Sequence, residues 1–209
     1  MSQSKFTVKP AISFAVISVL ISMATGCGQV SANLNQSSIA DASQPAASTP
    51  QTVALKSTGY QKSSEATSKL EVKPTPAVFY FNPNKWKQDG APQAGRTEFT
   101  HANGDGYGIV IAERVQLSDA ALRKIALENA KEAAPDAQIV HAEKRVVNGR
   151  EMTQLRMKAT VEGIPVEYLG YYFTGKEGTV QVLTYTTQNL MNEYQLDFED
   201  FLNGFVIEG

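Results

Sequence analysis

The chain has two histidines, His101 and His141, and each has a carboxylate close by: Asp105 four places after the first, Glu143 two places after the second. Residues two apart on a strand point to one face, so His141 and Glu143 could share a divalent cation or a proton. Arg145 falls on that same face while Val140 and Ala142 fall on the other, which is equally the pattern of a solvated strand face. If His101 joined His141 and Glu143 in space, the three would suit a metal-assisted hydrolase. That reading requires both histidines within a few ångströms of one another. Other catalytic signatures are missing: no serine sits in a G-x-S-x-G elbow, and no H-E-x-x-H, P-loop or G-x-G-x-x-G occurs. Gly104, Gly106 and Gly108 alternate inside a hairpin, with no helix start behind them to hold a phosphate. The pair Glu199 and Asp200 reads as the polar side of a helix, and no residue pattern calls for a cofactor.

Tyr107, Tyr168, Tyr171, Tyr172 and Tyr185, with Phe173 among them, fall on strands predicted to be neighbours. Left exposed, these tyrosines would form a binding patch for a protein, a peptide or a small apolar ligand, because their rings are large, stiff and polar at one end. Buried, they are core with hydroxyls at its rim. The sequence leaves both readings open.

Cys27 is the single cysteine, which excludes an intramolecular disulfide framework and any zinc site built on several thiolates. Lys5 and Lys9 precede an apolar run from Ala11 to Ala24, the charged and apolar regions of an export signal and short of the roughly 20 residues of a membrane span. The run ends in Ala24-Thr25-Gly26-Cys27, which resembles the lipobox of bacterial lipoproteins. That resemblance implies cleavage between Gly26 and Cys27, lipid on the Cys27 thiol, and the membrane as a partner through that anchor. Ala24 departs from the pattern, which usually has Leu there. Gly28 stands where an inner-membrane retention signal would have Asp, so in a Gram-negative cell the resemblance favours the periplasmic face of the outer membrane. The alternative is a plainly secreted protein cut nearby, with Cys27 discarded or left as a free thiol.

These residues need elements to position them. The whole chain carries 19 Lys and Arg against 21 Asp and Glu, a charge of −2; without Lys5 and Lys9 it falls to −4. Mild acidity with no basic cluster argues against nucleic acid, whose phosphates demand a clustered cationic face. Three segments follow: a signal over 1–26, a Ser-, Ala-, Gln- and Pro-rich tether over 27–76, and a folded domain over 77–209. The tether has too little apolar surface to offset its ordering entropy and is expected to be disordered. Val53 to Leu55 and Leu70 to Val72 are its two stretches able to pair as an edge strand.

In the folded segment, strands are predicted at Val78 to Phe81, Arg96 to His101 and Tyr107 to Glu113, with Asn103-Gly104-Asp105-Gly106 turning between the last two. Trp86 is read as a core plug in a loop. A helix capped at Ser118 or Asp119 runs to Pro135 on the period of Leu122, Ile125, Ala126, Ala130 and Ala133. A four-strand antiparallel meander follows, turning at Asn148-Gly149, Glu162-Gly163 and Gly175 to Gly178. Leu155, Met157, Ala159 and Val161 take one face of its second strand, Arg156, Lys158 and Thr160 the other. Its last two strands are apolar on both faces, so they belong at the centre, covered twice. A C-terminal helix capped at Asp197 carries Phe198, Phe201, Leu202 and Phe205. The fold class is α+β: an α/β/α sandwich whose central antiparallel sheet has six to seven strands flanked by helices.

This order of elements resembles the PsbP-like superfamily, as do Phe81-Asn82-Pro83 with Trp86, the Gly149 hairpin, the Tyr171-Tyr172 strand, the strand from Gly178 to Thr186 and the final Phe201-Leu202-Asn203-Gly204-Phe205. The likeness covers Val78 to Ile207. It implies a non-enzymatic docking module on a larger protein assembly, lipid-anchored in some bacterial members, and it transfers no functional residue. The chain is accordingly expected to be a tethered accessory lipoprotein of the cell envelope with a protein partner. The metal-assisted hydrolase and a carrier of small apolar ligands are the alternatives.

Overall fold

The computed structural model describes residues 59–93 and 95–208. The expected signal, with Ala24, Gly26 and Cys27, and the expected tether as far as residue 58 lie outside the described residues.

Seven strands form one antiparallel sheet: β3 (Trp86–Gln93), β4 (Arg96–His101), β5 (Tyr107–Glu113), β6 (Gln138–Val147), β7 (Arg150–Val161), β8 (Ile164–Gly175) and β9 (Gly178–Thr187). Their spatial order is β3-β4-β5-β9-β8-β7-β6. The predicted meander is its second half, and β8 and β9, apolar on both faces, sit inside it. Tight turns set the register. Asn148 and Gly149, then Glu162 and Gly163, all have positive φ, the backbone that two-residue hairpins between twisted strands require. The hairpins at Asn148-Gly149 and Lys176-Glu177 lie at one end of the sheet, and that at Glu162-Gly163 at the other.

Helix α1 (Asp119–Ala133) covers one face. Ser118 caps it by accepting from the Ala121 N–H at 3.2 Å, and Pro135 follows its last turn. Its inward stripe of Leu122, Ala126 and Ala130 packs on Leu155, Met157, Tyr168, Tyr172 and Leu183. The opposite face holds α2 (Met191–Leu202) and a second sheet of three strands in the order β1-β2-β10: β1 (Ser68–Val72), β2 (Ala77–Phe81) and β10 (Phe205–Ile207). Phe201 is the hub of this layer, its ring centroid 4.7 Å from Phe79, 4.2 Å from Trp86 and 5.2 Å from Phe99. Full burial of each such ring stabilises by about 2 kcal/mol. Gly108 on β5 admits the Phe201 ring, since a Cβ there would lie 2.7 Å from its Cζ.

Four expectations are corrected. The folded part does not begin at 77: Tyr60 pairs with Val147, and β1 pairs with β2 in the register Leu70↔Phe79, so residues 59–76 belong to the domain. Alternate β1 residues turn inward, Leu70 partly and Val72 fully buried, and β2 offers an open edge to receive them. Trp86 opens strand β3 instead of sitting in a loop. Helix α2 starts six residues before Asp197 with no side-chain cap, because Met191 and Tyr194 extend its buried stripe toward the N-terminus. Finally, Phe205 is not helical. The helix ends at Leu202, and Gly204 passes so close to the Tyr80 carbonyl that a Cβ would sit 1.8 Å from it; β10 then pairs with β2.

Candidate functional site

His101, on β4, is 4 % exposed. Its Nδ1 accepts from the Asn103 N–H at 3.3 Å, which assigns the proton to Nε2, 3.1 Å from an Asp197 carboxylate oxygen. Lys85 donates to the other Asp197 oxygen at 2.7 Å. The imidazole stands edge-on to Trp86 and Tyr194. Burial lowers its pKa, against the pull of Asp197, so the ring is held neutral. Its carboxylate is therefore Asp197, far along the chain, and not Asp105.

His141, on β6, is largely exposed, with Nε2 3.3 Å from Glu143 Oε2. Glu143 also accepts from Arg145, which bonds the Tyr171 hydroxyl at 2.7 Å and stacks on Tyr60. The Arg145 bond first, against partial burial, holds the Glu143 carboxyl below its ordinary pKa. This is a solvated chain of side chains along an edge strand. β4 and β6 are five strand spacings apart, roughly 24 Å. The hydrolase reading, which needs His101 beside His141 and Glu143, is overturned by that separation. Among the described residues no three His, Cys, Asp or Glu converge as a metal site.

The tyrosine patch is also corrected: Tyr107, Tyr168, Tyr171, Tyr172 and Tyr185 are all buried. Their strands lie inside the sheet and are covered on both sides. Tyr171 points toward α2, and the other four face the α1 side. Burial raises the hydroxyl pKa of Tyr168 and of Tyr171 to about 12, and raises those of Tyr172, Tyr185 and Tyr107 as well, so these rings are neutral at ordinary pH.

One part of the patch does reach a surface. Helix α1 packs on β7 and β8; toward β9 and β5 the cover passes to a row of rings, Tyr168 to Tyr185 at 5.6 Å and Tyr185 to Tyr107 at 5.0 Å. At the end of that row a cleft of about 290 Å³ opens, lined by Tyr107, Tyr185, Val161, Ile164, Val166 and Leu190. That is close to the lower size of small-ligand sites, and the lining is predominantly apolar as theirs is. Asp105 and Glu162 also line it, and no Lys, Arg or His does. Sequence reasoning missed Asp105, Glu162, Ile164 and Leu190 as a group. They come from three separate turns, and only the strand order β5-β9-β8-β7 brings those turns together.

The cleft has a definite place in the fold. The chain enters the domain where the Tyr60 N–H donates to the Val146 carbonyl at 2.8 Å and the Asn148 N–H donates to the Tyr60 carbonyl at 2.9 Å, at the Asn148-Gly149 end. The cleft is at the Glu162-Gly163 end, the length of the twelve-residue β8 away, roughly 35 Å.

Fold and cleft together define the class: an antiparallel α/β/α sandwich with a ligand-sized cleft at one end. Within that class the chain is similar to the PsbP of the cyanobacterium Synechocystis, at 15% identity over 68% of this chain and 92% of that one, with a TM-score of 0.53. It is also similar to the Ran-binding protein Mog1p of Saccharomyces cerevisiae (9% identity, 67% of this chain, 94% of that one, TM-score 0.48). A third similar structure is LpqN, involved in cell envelope biogenesis in Mycobacterium tuberculosis (9% identity, 68% and 90%, TM-score 0.38). At these identities the likeness is one of fold, and the first comparison carries it: the domain has a PsbP-like fold. No protein-family model matches the sequence, and no curated protein matches it. No described helix is long and apolar enough to cross a membrane.

Proposed function

We propose that the chain is a cell-envelope lipoprotein, cleaved between Gly26 and Cys27 and anchored by lipid on Cys27, whose PsbP-like domain is a non-catalytic docking module for a protein partner. In a Gram-negative cell it faces the periplasm from the outer membrane. The observation that supports this reading most directly is the cleft's position at the end opposite the chain's entry. A domain held through its N-terminal side carries that cleft on its far end, where a partner can reach it. A second reading, a carrier of small apolar ligands, is favoured by the cleft's size and lining alone.

The test is made in the producing cell with the full chain. Palmitate labelling is expected for the native sequence and lost in Cys27→Ala, which should also leave the membrane fraction. A photo-crosslinking residue at Asn189, beside the cleft, is expected to capture one envelope protein reproducibly, and the same residue at Lys176, at the other end, is not. Unlabelled native protein would end the lipoprotein reading. Indistinguishable capture from the two positions would end the docking reading and leave the carrier.

A further inference from the structure

The cleft has a polarity as well as a size. Most of its lining is aromatic and aliphatic: the stacked Tyr107 and Tyr185 with Val161, Ile164, Val166 and Leu190. Its two ionisable lining groups besides the tyrosines are carboxylates. Asp105 is half-buried in the loop before β5, and Glu162 is exposed in the β7–β8 turn. The Tyr107 hydroxyl donates to the Gly104 carbonyl at 3.1 Å, and the Thr186 hydroxyl to the Asp105 carbonyl at 2.7 Å. Among the described residues neither Asp105 nor Glu162 has an ion-pair partner within 4.0 Å, whereas Glu71 pairs with Lys73 and Glu208 with Lys69. An anionic head would meet two like charges here, and a neutral apolar one would leave both without a partner. Unpaired carboxylates beside an apolar wall attract a cation that carries an apolar stem.

We infer that the cleft receives a cationic nitrogen carried on an apolar stem, delivered as a lysine or arginine side chain of the docked protein. The stem lies along the tyrosine and aliphatic lining, and the charged head ends between Asp105 and Glu162. Long basic side chains are built for such a site, because their methylenes bury while the head stays near water. The inference rests on the reading of this cleft as the docking site, and a free alkylamine is the other source of the same chemistry.

The experiment uses the full Cys27→Ala chain in solution, following the amide resonances of Thr186, Asn189 and Leu190. The probes are n-hexylammonium, n-hexanol, n-hexanoate and the blocked peptide acetyl-Ala-Lys-Ala-amide. Saturable shifts are expected with hexylammonium and with the peptide, each binding roughly threefold or more tighter than the neutral or anionic probe; Asp105→Asn and Glu162→Gln should each erase that preference. Thermal unfolding of both variants, expected to match the parent, separates lost recognition from lost fold. Equal binding of hexanoate or hexanol, or no saturable shift, overturns the inference. Binding of hexylammonium without the peptide overturns the side-chain source in favour of a free amine. Persistence of the Asn189 cross-link in the doubly neutralised chain overturns the charge chemistry while the docking reading stands. Loss of any cross-link in a chain that still binds hexylammonium through its carboxylates does the reverse.

Discussion

Tyr107 and Tyr185 face each other in register across the β5–β9 pair, their rings stacked at 5.0 Å with 20° between the planes. The pair closes the α1-side core at the end of the sandwich and lines the cleft, so stability and recognition are joined in the same two rings. Tyr185→Ala is expected to cost about 3–5 kcal/mol, as truncation of a buried aromatic ring does. Tyr107→Phe, which removes the hydroxyl that donates to the Gly104 carbonyl, is expected to cost about 1 kcal/mol. Urea unfolding measures both, and similar losses for the two variants would contradict the packing role given to Tyr185.

On the other face, Gly108 and Phe201 form a second pair whose fit depends on a missing side chain. A Cβ at 108 would lie 2.7 Å from Phe201 Cζ and 2.9 Å from Cε1. Gly108→Ala should therefore destabilise by about 1–3 kcal/mol through overpacking. In a double-mutant cycle with Phe201→Leu the two costs should fall short of additivity by about 1 kcal/mol. Simple additivity would mean that the ring is not what Gly108 accommodates.

His101 gives the domain a pH dependence whose sign follows from its burial. Its folded pKa lies below the ordinary 6.5, so the unfolded chain takes up the proton first as pH falls. The neutral ring's contribution is complete above about pH 6.5 and is lost as pH falls from there through the folded pKa. The melting temperature of the native chain should drop over that range, and in His101→Gln the drop should be smaller. An unchanged slope in the variant would remove His101 as its source.

Asp119 works in a lower window. Burial alone would raise its pKa; the Thr153 hydroxyl, Lys144 and Arg123 outweigh that and hold it at about 2, against an ordinary 3.8. The stabilisation is present above pH 3.8 and is lost as pH falls through about 2. Asp119→Asn should cost about 1–2 kcal/mol at neutral pH, some of the full difference being screened at this partly exposed site. Guanidinium unfolding at neutral and strongly acidic pH should find the variant's deficit closing in acid.

Local pattern was enough wherever an element's own residues carried its periodicity. The alternation in β7 fixed its two faces, Leu155, Met157, Ala159 and Val161 falling on the α1 side, and the Ser118 cap with the Leu122 stripe fixed α1. Asn148-Gly149 and Glu162-Gly163 fixed two hairpins, because positive φ at both positions selects a turn of the right twist. The bulk of β8 and β9 on both faces already required two covering layers. What no single segment contained was partnership across the chain. β1 looks like tether until β2 offers it an edge, Phe205 looks helical until Gly204 passes the Tyr80 carbonyl, and Asp197 looks like a cap until Lys85 arrives from the turn before β3 and His101 from β4.

The same division applies to the site. The sequence by itself determined an apolar run from Ala11 to Ala24 shortly before the single cysteine, Cys27, and the richness of tyrosine on neighbouring strands. Tertiary structure decided that those tyrosines are core, that Tyr107 and Tyr185 also line the cleft beside Asp105 and Glu162, and that His101 and His141 stand five strands apart in the sheet. Composition and period are properties of a segment, whereas strand order is a property of the whole chain. The order β3-β4-β5-β9-β8-β7-β6 is what separates the histidines and sets the turns bearing Asp105, Glu162 and Leu190 around one opening.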